Sequence, residues 1–124
     1  MTDESVEQEI QRKGLTAPRV TPADIESAIA SEHYFTALQG ARMEGLDYIE
    51  KMGMVPAPQP LQPALGLLTF CVLILKNGFA VSGESACASP ENYDENLGRK
   101  IARQNAVSKM WPLLGYELKC RLAQ

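Results

Sequence analysis

Histidine and tryptophan occur once each in the 124 residues, cysteine three times, and aromatic side chains make up only 6%. The single histidine, His33, has no second histidine or paired cysteine at ligand spacing, so neither a metal nor a cofactor is expected. Cys71, Cys87 and Cys120 are odd in number and widely scattered, which excludes a disulfide framework and a zinc cluster and suits reduced thiols in small core positions. No apolar run reaches the roughly 18 residues that a membrane span requires. The longest, "LGLLTFCVLIL", stops at Lys76, so no membrane partner is expected. The start, "MTDESVEQEIQRKG", lacks the basic opening and apolar centre of a signal peptide, and the expected location is the cytoplasm.

Charge is also missing locally. Residues 52–75 carry none, residues 1–51 carry ten acids and five bases, and from Asn96 onward six bases face only Glu117. A formal net charge of −3 does not recruit nucleic acid by itself. A basic stripe on one helix still acts within a Debye length of roughly 8 to 10 Å.

At 45% apolar, the length fits one compact domain. Residues 1–20 read as an N-terminal arm or short helix, with Val6 and Ile10 on one face, and 21–124 as a single α+β domain. "TPADIESAIA" predicts a helix, with Thr21 as N-cap, Pro22 in the first turn and Asp24 completing a capping box. "EHYF" predicts a brief strand near residue 33. Thr36 and Gln39 open a second helix, whose buried side is expected at Leu38, Leu46, Ile49 and Met52. Four prolines in 55–63 mark a stiff connector.

"LLTFCVLIL", Lys76-Asn77-Gly78-Phe79 and "AVSGESACA" predict a β-hairpin over about 67–88, closed by a two-residue Asn-Gly turn. That turn pairs Ile74 with Val81 and Val72 with Gly83, placing Phe70, Val72, Ile74, Phe79 and Val81 on the core face. Cys71, Leu73 and Leu75 then lie on the other face, where they are candidates for an interface with another subunit. A long terminal helix, capped by Ser89 or Asp94, carries an apolar stripe from Leu97 and Ile101 through Val107, Trp111 and Leu114 to Leu118 and Leu122. A kink or fresh start is expected near Pro112. The expected fold is thus α+β: N-terminal helices, a small antiparallel sheet built on the hairpin, and a long C-terminal helix over it.

The candidate ligand- or phosphate-binding residues are Arg99, Lys100 and Arg103 in "GRKIARQNA". Four-residue spacing puts the two arginines on one helical face, fit either for an anionic partner or for pairing with Glu84 and Glu95 of the same chain. "RKIAR" is similar in spacing to the Lys-Lys-x-Ala-Lys signature opening the last helix of double-stranded-RNA-binding domains. That likeness implies phosphate contacts across a groove. "GESAC" contains Gly-x-Ser without the closing glycine of a nucleophile elbow, and no catalytic residue is assigned. Trp111 and Tyr116 read as core rather than as a stacking platform.

The stretch "TFCVLILKNGFAVSGESACASPENYDENLGRKIARQNAVSKMWPLLGYELK" resembles small proteins of tailed phages and prophages, the family named for gene product forty-nine of coliphage N-four and gene product sixty-six of Shigella phage Sf-six. "RVTPADIESAIASEHYFTAL" resembles the N-terminal part of its members, and residues 39–63 are the least typical. The resemblance implies a phage-encoded, non-enzymatic accessory protein acting in the host cytoplasm. Its expected partner is a host protein or a small anionic defence signal, with nucleic acid as the alternative and a homo-oligomer as the working form.

Overall fold

The computed structural model describes residues 2–54 and 63–124. Four α-helices, α1 (Asp3–Arg12), α2 (Pro22–Ala28), α3 (Ala37–Met52) and α4 (Glu95–Leu122), accompany three strands, β1 (Ile29–Thr36), β2 (Leu68–Leu75) and β3 (Ala80–Ala86). Short 3-10 turns, Pro63–Leu67 and Pro90–Asn92, precede β2 and α4. The strands form one antiparallel sheet in the order β1-β2-β3. This is the expected α+β fold, with α4 laid across one sheet face.

Local chemistry sets the helix starts. Thr2, Thr21 and Thr36 each accept a hydrogen bond from the backbone N–H three residues on, and the side chains of Ser5, Asp24 and Gln39 accept one in return. Asp94, not Ser89, caps α4: its Oδ1 accepts from Leu97 N at 2.9 Å, while Ser89 leads only into a 3-10 turn. Most of the proline-rich connector falls outside the described residues; its last proline, Pro63, opens the 3-10 turn before β2.

The hairpin register is one residue away from the expected one. Leu75 N–H donates to the carbonyl of Phe79, enclosing the three-residue loop Lys76-Asn77-Gly78, in which only Gly78 has positive φ (89°). A type I′ turn needs two such residues; here Asn77 Oδ1 instead accepts from Phe79 N at 2.9 Å. Leu73 therefore pairs with Val81 and Cys71 with Gly83. The one-residue slip exchanges the faces. Cys71, Leu73 and Leu75 are core residues under α4, with Val81, and not a surface for another subunit. Phe70, Val72 and Ile74 lie half-buried on the opposite face, and Phe79 is exposed.

Helix α4 meets the sheet through Gly98, Ala102, Ala106 and Met110. A four-residue repeat of small side chains brings its backbone close to β3, where a Cβ on Gly83 would collide with the Ala102 carbonyl oxygen and the Ala106 nitrogen. Leu97 and Ile101, expected inside, are exposed for this reason, while Val107, Trp111 and Leu114 pack beside the core. The helix runs unbroken through Pro112 and does not restart there. Pro112 and Ser108 are both exposed, so water can satisfy the Ser108 carbonyl that Pro112 leaves without a donor.

Two further expectations are corrected. Helix α3 has no fully buried residue; Leu46, Ile49 and Met52 are exposed, and its inner side is made by Ala37, Leu38, Gly40, Ala41, Gly45 and Tyr48. Cys120 and Tyr116 are also exposed: each lies two residues from the partly buried Leu118, about 200° round the helix from it.

Candidate binding site

The basic triplet lies on the first three turns of α4, and its three members have different surroundings. The Arg103 guanidinium bonds both oxygens of Glu26 on α2, at 3.1 and 2.8 Å, and its Nε donates to Glu32 on β1. Tyr34 Oη donates to the same Glu32 carboxylate at 3.0 Å. Arg99 pairs with Glu95 at 3.0 Å and stands 5.5 Å from the centre of the Tyr34 ring. Lys100 is exposed and makes no ion pair among the described residues.

The expected partner Glu84 is on the far face of the sheet; only its main-chain carbonyl meets α4, accepting from Asn105 Nδ2 at 2.8 Å. Arg103 holds the Glu32 carboxyl below its usual range, and burial together with Glu32 pushes the Tyr34 phenol well above its own. Burial likewise raises the Cys71 thiol. Arg103 thus ties α4 to α2 and β1, with its planar fork already committed to two carboxylates.

Next to that cluster, α1, α2 and α4 enclose a groove of about 690 Å³. Ile25, Val107 and Trp111 supply apolar lining, Asp3 and Glu4 bring carboxylates, and Glu26 lines the groove together with the Arg103 guanidinium that bonds it. Trp111 Nε1 donates to Asp3 Oδ2 at 3.1 Å, fastening the start of α1 to α4. Glu7, in the middle of α1, ties the helix to the segment before α2: it receives a two-pronged bond from Arg19, one prong at 2.7 Å, and the pairing lowers its pKa to about 2. The acidic first half of the chain thus supplies the rim, and the sole tryptophan, on the basic helix, supplies part of the wall. Sequence patterns did not reveal this groove, since Asp3 and Trp111 are 108 residues apart.

Ser85 and His33 are not brought together. Ser85 pairs with Thr69 on the α4 side of the sheet, whereas His33 pairs with Val72 on the opposite side and contacts Ser31 Oγ at 3.0 Å. No group of three or more metal-ligating side chains occurs among the described residues. Nor does any described helix have the length and apolarity to cross a membrane.

The model of the phage protein (N4 Gp49/phage Sf6 gene 66) family matches residues 20–122. The chain belongs to this family. The match takes in all three strands, α2, α3 and α4, and begins just after Arg19, so α1 and the acidic groove wall formed by Asp3 and Glu4 precede it. No curated protein and no solved structure matches the chain.

Proposed function

We propose that this phage-family protein is an accessory protein that acts in the host cytoplasm by holding a segment of a host protein in the groove between α1, α2 and α4. The single observation that carries this reading is the pairing of an indole wall, Trp111, with the carboxylates of Asp3 and Glu4, Glu26 being already neutralised by Arg103. Tryptophan in a partly covered apolar recess is a typical energetic anchor of an interface, and rim charges select the partner and speed its approach. The matching ligand is an amphipathic segment bearing apolar side chains and lysine or arginine. A small anionic signal molecule fits this groove poorly, since its charge would face carboxylates and the Arg103 fork is already engaged.

The test is binding of a fluorescein-labelled helical peptide of alternating leucine and lysine clusters, followed by anisotropy, with a leucine/glutamate peptide as control. Saturable binding of the basic peptide alone, weakened at least tenfold by Glu4→Lys, supports the proposal. Equal binding of both peptides, or indifference to Glu4→Lys, overturns it.

A second reading, nucleic-acid binding, draws on one observation. Arg99 and Lys100 lie in the second turn of a helix that packs on a three-stranded antiparallel sheet, with Ala102 buried between them and Arg103. Duplex contact through all three cations would require Arg103 to exchange Glu26 and Glu32 for phosphate.

A further inference from the structure

Thr69, on β2, is 2% exposed, and its Oγ1 is the one buried side-chain polar atom that makes no hydrogen bond among the described residues. A hydroxyl shut off from solvent and left unpaired costs the fold its full desolvation, so its retention calls for a function. The hydroxyl is turned toward α4: a Cβ on Gly98 would stand 3.2 Å from Oγ1 and 3.7 Å from the Thr69 Cβ. Thr69 and Gly98 both line a cavity of about 120 Å³ between the sheet and the first two turns of α4, apart from the groove that Trp111 lines.

The lining restricts what can enter. Leu97 and Ile101 supply apolar surface from α4, and Leu67 supplies more from the turn before β2. Ser85, paired with Thr69 across the strands, adds a second hydroxyl, while the Cys87 thiol is already spent on the Ser89 carbonyl at 3.1 Å. No lysine or arginine is among the described residues that line the cavity, and its one carboxylate, Asp94, has Oδ1 engaged with Leu97 N. An anion would therefore meet a carboxylate with no cation to balance it. In volume the cavity approaches the roughly 150 Å³ of an engineered apolar cavity that admits benzene, so a single six-membered ring fits. Two hydroxyls can each donate and accept, and a ring whose edge carries both N–H and C=O complements them. We infer that this cavity binds a neutral six-membered ring with an amide or imide edge, of the pyrimidine-base type. The polar edge meets Thr69 Oγ1 and Ser85 Oγ, and the ring lies against Leu97 and Ile101.

Uracil is the probe, titrated to its solubility limit into the isotope-labelled full chain and followed by amide chemical shifts. Saturable shifts confined to Thr69, Ser85, Leu97, Gly98 and their neighbours are expected. Thr69→Val keeps the branched shape and removes the hydroxyl; it should weaken binding at least about tenfold and leave the unfolding temperature equal or higher, since Oγ1 has no partner in the chain to lose. Ser85→Ala should weaken binding as well, and decides the matter if Thr69→Val does not fold. Toluene, similar in size but without a polar edge, should bind at least about tenfold more weakly than uracil. Glu4→Lys should leave the uracil shifts unchanged, which separates this inference from the groove reading. No saturable shift, toluene binding as well as uracil, or affinity for uracil that survives loss of either hydroxyl would overturn it.

Discussion

Gly83 is the residue on which the packing of α4 turns. A methyl group there has no flexible neighbour to displace, only the helix backbone at Ala102 and Ala106. Gly83→Ala should therefore cost at least about 1–3 kcal/mol, read as a lower urea midpoint at unchanged slope. Nothing in "VSGESA" announces this, since glycine in a strand equally suits a bulge or an edge. The three capping boxes lie at the other extreme: each needs only two residues three apart, and the two at Thr21 and Thr36 were legible directly. The arginine partners fall between. Glu95, one turn from Arg99, could be read from spacing, whereas Glu26 and Glu32 lie 77 and 71 residues from Arg103 and become neighbours only on folding.

Glu7 gives a prediction in pH. Its folded pKa of about 2 lies below the ordinary value because Arg19 bonds the ionised form, so its contribution is complete above about pH 4.5. It fades as pH falls toward 2, where the folded carboxylate also takes up a proton. Glu32, lowered by Arg103, contributes in the same direction. Denaturant midpoints should fall between pH 5 and pH 2 for the native chain, and fall less for Glu7→Gln.

At the scale of elements, the hairpin shows why alternation alone does not fix a face. β2 is apolar at every second residue on both sides, so hydrophobic pattern leaves its orientation open and the turn decides it. Here the loop holds three residues, with Gly78 at φ 89° and Asn77 bonded to Phe79. Gly78→Ala should destabilise the fold by about 1 kcal/mol through strain at positive φ, and Gly78→Asn by less, as measured by thermal unfolding. Helix α4 was legible in its charge and its C-terminal reach, its cap was narrowed to Ser89 or Asp94, and its continuity through Pro112 and its inner face were not read. The stripe of large apolar residues pointed one way, and the smaller Gly98, Ala102 and Ala106 allow a closer approach along another. Helix α3 was foreseen at its start, while the exposure of Leu46, Ile49 and Met52 follows from how little of the sheet it reaches.

At the scale of the whole molecule, β2 separates two faces: one where Phe70, Val72 and Ile74 lie among Ser31, His33, Ser82 and Glu84, and one covered by an α-helical layer that holds the groove and a basic strip. The order of elements and the α+β layering were readable from sequence; the groove was not, because its walls come from opposite ends of the chain. The basic strip can be tested against duplex RNA and DNA in gel shifts. If Arg103 stays with Glu26 and Glu32, binding should be absent or weak even at low salt, and Lys100→Glu should change little. A tight complex that weakens steeply with salt and is lost in Lys100→Glu would instead favour nucleic acid.

The groove claim has a reporter built into it, since Trp111 is the chain's sole tryptophan and lines the proposed contact. Titrating the leucine/lysine peptide while following tryptophan emission should give a saturable shift to shorter wavelength as the indole is covered, diminishing with added salt and in Glu4→Lys. An emission spectrum that stays unchanged while the peptide binds would place the contact elsewhere and contradict the account.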